Sequence, residues 1–180
     1  MTQPAPRTLL VLGGARSGKS AFAERLVRGS GHQPVIIATA EAGDAEMAQR
    51  IARHRRIRGP GWIVLEETLN LTGALETASR TGRAVLVDCL TLWLSNLMMA
   101  DRDPAAEGAA LAGLLPHLPG PVVLVSNEIG LGLVPETSLG RRFRDAQGAL
   151  NQTIAAASDQ VVFVAAGQPL VLKPAPEIRL

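Results

Sequence analysis

A glycine-rich segment near the start of the chain constrains the fold more than any other feature. It follows the apolar run 8–12 and reads Gly-Gly-Ala-Arg-Ser-Gly-Lys-Ser over residues 13–20. This order is typical of a strand, a phosphate-binding loop (P-loop) and a helix, in which backbone N–H groups surround an oxyanion. Lys19 then reaches the outer phosphates, and the Ser20 hydroxyl is a ligand for Mg²⁺. The segment predicts a site for a nucleoside triphosphate.

The choice of lysine within this segment supports the same interpretation. The chain has 18 basic residues, and only Lys19 and Lys173 among them are lysines. The alternative is a glycine-rich turn that binds nothing. We expect Lys19 to lie in an exposed loop. The predicted phosphate-binding residues are Gly13, Gly14, Ala15, Arg16, Ser17, Gly18, Lys19 and Ser20.

Size and composition favour one globular unit. The chain has 180 residues of which 47% are hydrophobic, and we expect a single catalytic domain over residues 1–180. A net charge of +2 and an aromatic content of 3% do not favour a nucleic-acid partner. Cys89 is the only cysteine, the start lacks a signal-peptide pattern, and no apolar run approaches the roughly 20 residues of a membrane span. We expect a cytoplasmic protein without a membrane span.

Alternation of apolar runs with helical patterns predicts the fold class. The runs lack polar alternation, which favours a parallel sheet covered on both faces. We therefore expect a three-layer α/β sandwich with a mainly parallel sheet, of the RecA-like P-loop NTPase class. The predicted strands are 8–12, 35–38, 62–65, 84–87, 122–125 and, as the last, 161–164. The predicted helices are 21–28, 45–58, 69–80, 90–99, 105–117 and 139–157.

Residues that follow the predicted strands are candidates for the site, because ligands bind beyond the carboxyl ends of parallel strands. Thr39, Asp88, Asn127–Glu128 and Gly167 occupy such positions. Asp88 is placed like an aspartate that holds Mg²⁺ in P-loop proteins, and its alternative role is to cap the next helix. Glu128 either assists the metal, accepts a proton from an attacking hydroxyl, or has no chemical role.

A cluster of arginines surrounds one histidine in the predicted helix 45–58. Arg50, His54 and Arg58 share one helical face, and Arg53, Arg55 and Arg56 lie between them. Three interpretations are open: a solvated basic face, a nucleic-acid patch, and a phosphate-handling site with His54 as nucleophile. Neighbouring cations disfavour the imidazolium, which keeps His54 neutral and able to attack.

Several segments together resemble a known enzyme family. They are the P-loop, residues 37–40, 44–47, 50–54, 126–136 and 142–152. In combination they are similar to the bifunctional adenosylcobinamide kinase/adenosylcobinamide-phosphate guanylyltransferase family of cobalamin biosynthesis, over nearly the whole chain from about Leu9 to Lys173.

The resemblance implies two reactions. ATP or GTP, with Mg²⁺, phosphorylates adenosylcobinamide; GTP then guanylylates a histidine, and GMP passes to adenosylcobinamide phosphate. By position the histidine is His54, the catalytic residues include Lys19 and Asp88, and the metal ligands are Ser20 and Asp88. The family also implies a homotrimer. The further nucleotide-contacting positions that it implies are Ala38, Thr39, Ala40, Arg55, Arg56, Ile57, Arg58, Glu66 and Asp88.

Three other functions compete with this prediction. A small-molecule or nucleotide kinase would use the same P-loop without a covalent intermediate and would not need His54. A regulatory GTP-binding switch fits poorly, because no Asn-Lys-x-Asp guanine-reading sequence is present. A nucleic-acid-binding module is disfavoured by the small net charge and the low aromatic content.

Overall fold

A computed structural model describes residues 7–41 and 59–174 of the chain. Within these ranges one seven-stranded sheet has the order β3-β2-β4-β5-β1-β6-β7. The strands are β1 (Thr8–Gly13), β2 (Gln33–Ala38), β3 (Ile63–Glu66), β4 (Arg83–Asp88), β5 (Val122–Asn127), β6 (Gln160–Ala165) and β7 (Gln168–Lys173). The helices are α1 (Lys19–Gly29), α2 (Leu71–Ala78), α3 (Leu90–Met99), α4 (Pro104–Leu114) and α5 (Ser138–Ala157), with a 3₁₀ turn at Leu115–His117.

Helices cover the sheet on both faces. On one face Leu10 packs in a cluster with Leu75, Trp93, Leu111 and Leu150, which come from α2 to α5. On the other face Val11 packs with Ala23 and Val27 of α1. Because Leu10 and Val11 are adjacent in β1 and both are buried, the strand is apolar on both sides, as parallel strands between helical layers require. The predicted three-layer α/β sandwich is confirmed.

Strands β1 to β6 pair in parallel, whereas β7 pairs antiparallel with β6. The carboxyl ends of the parallel strands therefore meet at one edge of the sheet, which we call the carboxyl edge. Their starts meet at the opposite, amino edge. Among the described residues, no helix is long and apolar enough to cross a membrane.

Most predicted elements agree with the structure within a few residues, and two differ. The prediction that 161–164 is the last strand is wrong, since β7 follows it after a turn at Ala166–Gly167 with φ values of 50° and 77°. The predicted helix 105–117 is α-helical only to Leu114, because Pro116 has no N–H to continue the hydrogen-bond ladder. The predicted helix 45–58 lies outside the described residues.

Candidate nucleotide-binding site

The P-loop joins β1 to α1 at the carboxyl edge, as the sequence predicts. The backbone curls through Arg16 and Gly18, which have φ values of +57° and +95°. Lys19 is the first residue of α1, and its Nζ donates a hydrogen bond to the Gly14 carbonyl oxygen at 3.0 Å. Its side chain is buried, so the expectation of an exposed lysine is wrong. The ammonium group is held over the loop, where a phosphate would bind.

Two glycines of the P-loop are required by close packing. A Cβ atom at Gly13 would lie 2.5 Å from the Val164 carbonyl oxygen and 2.6 Å from Ser17 Oγ. A Cβ atom at Gly18 would lie 3.0 Å from the Gly167 Cα atom. The N–H of Gly167 donates to the Ser17 carbonyl oxygen at 2.8 Å, so the turn after β6 supports the P-loop from one side.

The strand register brings most of the candidate residues to the same edge. Gly13 is aligned with Asn127, and the N–H of Glu128 donates to the Gly13 carbonyl oxygen at 3.0 Å. In the half of the sheet beyond β5, Ala38 at the end of β2 is aligned with Asp88 of β4 and with Glu66 of β3. Neighbouring strands lie about 4.8 Å apart, and one strand separates β4 from β1, so Asp88 and the P-loop are roughly 10 Å apart at their backbones.

Thr39 connects the ends of β2 and β4. Its hydroxyl donates to the Cys89 carbonyl oxygen at 2.7 Å and accepts from the Cys89 N–H at 2.8 Å. Its own N–H donates to the Asp88 carbonyl oxygen at 3.2 Å. Asn96 of α3 adds a hydrogen bond from Nδ2 to the Thr39 carbonyl oxygen at 2.8 Å. Thr39 is fully buried, so these bonds fix the backbone that carries Asp88.

The residue after Asp88 carries the N-cap of α3. That position belongs to Cys89, so Asp88 lies one residue outside the helix cap that its alternative role would require. Burial raises the pKa of the Cys89 thiol to about 11; the charge of Asp88 adds to this rise and that of Lys19 opposes it. The thiol is therefore neutral near pH 7 and is not a nucleophile.

A second set of buried polar side chains fixes the end of β5, and the sequence analysis missed it. The Asn127 N–H donates to Thr91 Oγ1 at 2.8 Å, and its carbonyl oxygen accepts from Asn151 Nδ2 at 3.0 Å. Ser126 Oγ donates to Asn151 Oδ1 at 2.7 Å, and Gln147 Nε2 donates to both at 3.0 Å. The available signal was Gln147 and Asn151, two amides spaced i, i+4 in an amphipathic helix.

The remaining predicted site residues fall into two groups, one outside and one inside the described part of the chain. His54, Arg55, Arg56, Ile57 and Arg58 lie outside the described residues. Ala15, Arg16 and Glu66 are exposed at the carboxyl edge, whereas Ser17, Ser20, Ala38 and Ala40 are half-buried there.

The site suits Mg²⁺ through its oxygen donors. The proposed ligands, the Ser20 hydroxyl and the Asp88 carboxylate, are hard oxygen atoms of the kind that Mg²⁺ prefers. Within residues 7–41 and 59–174 there is no cluster of three or more His, Cys, Asp or Glu side chains that could hold a metal ion.

Sequence comparison identifies the family. The family described as cobinamide kinase / cobinamide phosphate guanyltransferase matches residues 9–172. The chain belongs to this family. It is 51% identical over 169 residues to the bifunctional adenosylcobalamin biosynthesis protein CobP of Pseudomonas aeruginosa, covering 93% of this chain and 98% of that protein. It is 38% identical over 180 residues to the corresponding CobU protein of Escherichia coli, covering 92% of this chain and 99% of the relative.

Solved structures resemble the fold more distantly. The P4 protein from bacteriophage phi6 in complex with ADP is 16% identical, with a TM-score of 0.49, over 92% of this chain and 54% of that chain. The RadB recombinase is also 16% identical, with a TM-score of 0.48, over 88% and 74%. At these TM-scores the two structures carry no argument about this chain, and its fold is described by its own sheet topology.

Proposed function

We propose that the chain phosphorylates adenosylcobinamide and then transfers GMP from GTP to adenosylcobinamide phosphate, giving adenosylcobinamide-GDP and pyrophosphate. The observation that carries this proposal is the closed P-loop, with Lys19 Nζ at 3.0 Å from the Gly14 carbonyl oxygen, in a member of this family. The relatives from P. aeruginosa and E. coli, each named as a bifunctional adenosylcobalamin biosynthesis protein, support it.

The kinase step uses the P-loop edge. The backbone of residues 13–20 binds the phosphates of ATP or GTP, and Lys19 supplies positive charge as the terminal phosphoryl group moves to the substrate hydroxyl. Ser20 and Asp88 would hold Mg²⁺, which when bound neutralises phosphate charge. Thr39 is buried with its hydroxyl bonded to the Cys89 backbone, so this side chain acts by fixing the backbone next to Asp88 rather than by contacting the nucleotide.

The guanylyl transfer uses His54. A neutral imidazole nitrogen attacks the α-phosphorus of GTP, pyrophosphate leaves, and the imidazole loses its proton, which gives a phosphoramidate. A phosphate oxygen of adenosylcobinamide phosphate then attacks the same phosphorus and releases the imidazole. Arg55, Arg56 and Arg58 would stabilise the negative charge that develops. Ala38, Ala40, Ile57 and Glu66 complete the proposed nucleotide contacts.

Labelling with α-labelled GTP tests the covalent step. We expect the wild-type protein to retain label that survives alkali and is released by acid, because a phosphoramidate has these properties. His54→Ala should lose the label and guanylyl transfer while phosphorylation of adenosylcobinamide continues. His32→Ala and His117→Ala are matched controls: His32 is exposed in the turn before β2, and His117 lies in the 3₁₀ turn after α4.

Two results would contradict the assignment. Label that persists in His54→Ala and disappears in either control would move the nucleophile to that histidine. An unlabelled wild-type protein that still phosphorylates adenosylcobinamide would favour a kinase without a covalent intermediate.

We also propose a cytoplasmic homotrimer, as the family resemblance implies, and sedimentation of the purified protein tests the oligomeric state.

A further inference from the structure

The loop between β5 and α5 presents large apolar side chains to solvent. We call residues 128–137 the β5–α5 loop. Leu131 is 83% exposed and Leu133 is 97% exposed, while Val134 and, at the start of α5, Leu139 are also mostly exposed. Large apolar residues grouped on a surface in this way mark a place where another molecule binds.

Hydrogen bonds hold the loop at both ends. At its start, a Glu128 carboxylate oxygen accepts a hydrogen bond from the Gly130 N–H. At its end, Arg141 Nη1 donates to the carbonyl oxygens of Pro135 and Glu136 at 3.0 and 2.7 Å. Thr137 Oγ1 accepts from the Gly140 N–H at 3.1 Å, which caps α5. The backbone that carries Leu131 and Leu133 is therefore held by hydrogen bonds at both ends of the loop.

The loop begins next to the P-loop. The Glu128 N–H donates to the Gly13 carbonyl oxygen at 3.0 Å, so the first residue of the loop contacts the end of β1. Leu131 is three residues later, and three residues span at most about 11 Å. The first exposed leucine of the loop therefore lies within about 11 Å of the residue that contacts the end of β1, where the P-loop begins.

The charge of the loop disfavours a nucleotide as its occupant. Residues 128–137 contain Glu128 and Glu136 and no Lys, Arg or His, and the neighbouring Arg141 guanidinium is engaged by the Pro135 and Glu136 carbonyl oxygens, so the loop offers a polyphosphate little positive charge. A corrinoid has the opposite character, because it is a large, flat, mostly apolar macrocycle, and with an adenosyl ligand on cobalt(III) it carries a net positive charge. Apolar contact together with an acidic rim matches this chemistry.

We propose that the β5–α5 loop is the docking surface for the corrin macrocycle, with Leu131 and Leu133 as its main apolar contacts. This inference rests on the proposed function, since it places the substrate of the same site. Docking here would leave the substrate's hydroxyl-bearing side arm to reach the P-loop. The loop then determines corrinoid affinity, and the P-loop determines nucleotide affinity.

A double variant tests this division. In L131S/L133S we expect the KM for adenosylcobinamide to rise about tenfold or more, because two large apolar contacts are removed. The dissociation constant for GTP and the kcat at saturating corrinoid should stay within about twofold. The matched control is V171S/L172S on β7, where both side chains are also exposed, at 59% and 41%, and lie beside Lys173 towards the amino edge, opposite the P-loop. This control should keep the wild-type KM.

Three outcomes would overturn the docking surface while leaving the proposed function in place. One is an unchanged corrinoid KM in L131S/L133S, and another is an equal rise in the β7 control. The third is a change in sedimentation together with weaker GTP binding, which would make the loop a contact between copies of the chain. A wild-type protein that binds GTP but never turns over adenosylcobinamide would instead overturn the proposed function.

Discussion

Two threonines, one at each edge of the sheet, make the same pair of hydrogen bonds with different partners. At the carboxyl edge Thr39 both donates to and accepts from the backbone of Cys89. At the amino edge the Thr8 hydroxyl donates to the Asp159 carboxylate at 3.0 Å and accepts from the Asp159 N–H at 2.9 Å. Each pair ties the ends of two neighbouring strands, β2 to β4 and β1 to β6.

The partners give the two edges different properties. The Thr39 pair is fully buried and contains only neutral groups, so its energy is large and independent of pH. The Thr8 pair ends on an exposed carboxylate, so solvent weakens it and protonation changes it. At the carboxyl edge, which carries the proposed site, the threonine bonds are buried hydrogen bonds between neutral groups. At the amino edge, the threonine bonds involve a carboxylate whose charge is screened by solvent. Such rigid support is what a phosphate site needs for preorganisation.

Lys19→Ala tests whether function belongs to the carboxyl edge, and it should have the largest effect. Loss of the ammonium group removes the main side-chain charge from the phosphates, so both transfer rates should fall by about 10² to 10³. The other lysine is a matched control at the amino edge, where Lys173 Nζ donates to the carbonyl oxygens of Ala155 and Ala156 at the end of α5. Lys173→Ala should retain wild-type rates. Wild-type phosphorylation by Lys19→Ala would make the P-loop merely structural.

Thr39→Val tests the buried pair and should have an intermediate effect. Valine keeps the shape but leaves the Cys89 N–H buried without the hydroxyl, while the Cys89 carbonyl oxygen still accepts from the Trp93 N–H at 3.2 Å, so the free energy of unfolding should fall by about 1 to 3 kcal/mol. Urea unfolding at a fixed protein concentration measures it. Thr39→Ser keeps the hydroxyl and should lose much less. Equal losses in the two variants would show that the methyl group, and not the hydrogen-bond pair, stabilises this edge.

Sequence patterns could predict the proposed site because its chemistry is local. The P-loop is a contiguous segment, and Asp88 ends a strand of continuous apolar residues, so both could be placed without knowledge of the fold. The edge strand β7 was missed for a local reason as well. It contains Pro169, its side chains are mostly exposed, and its turn is Ala-Gly rather than the usual Asn-Gly or Asp-Gly.

The polar bonds beneath the site could not be predicted because they depend on long-range pairing. Thr39 and Cys89 are 50 residues apart in the chain and meet only when β2 pairs with β4. Likewise Gln147 looks like a surface amide until α5 packs it against Ser126 at the end of β5. The i, i+4 spacing of Gln147 and Asn151 indicates only that they share a helix face, and it does not identify the strand end that they contact, whereas the residues of a phosphate-binding loop and their ligand are specified by one contiguous segment.

Asp159→Asn tests the amino edge and should have the smallest effect. Hydrogen bonds from the Arg7 and Thr8 N–H groups, together with the Thr8 hydroxyl, lower the pKa of the Asp159 carboxyl below its usual range. A lowered pKa means that the folded state favours the ionised form, so this stability is present at neutral pH and is lost as the pH falls below the ordinary aspartate pKa and through the lower folded-state pKa.

The difference in unfolding free energy between the wild-type protein and Asp159→Asn should therefore be about 1 kcal/mol or less at pH 7, because the carboxylate is exposed. It should shrink as the wild-type carboxyl becomes protonated. Thr39→Val is the control for this titration, since neither of its partners ionises in that range and its deficit should stay constant with pH. If the Asp159→Asn deficit were also constant from pH 7 to pH 3, the amino edge would be held by neutral hydrogen bonds, and the two edges would not differ in the way their partners imply.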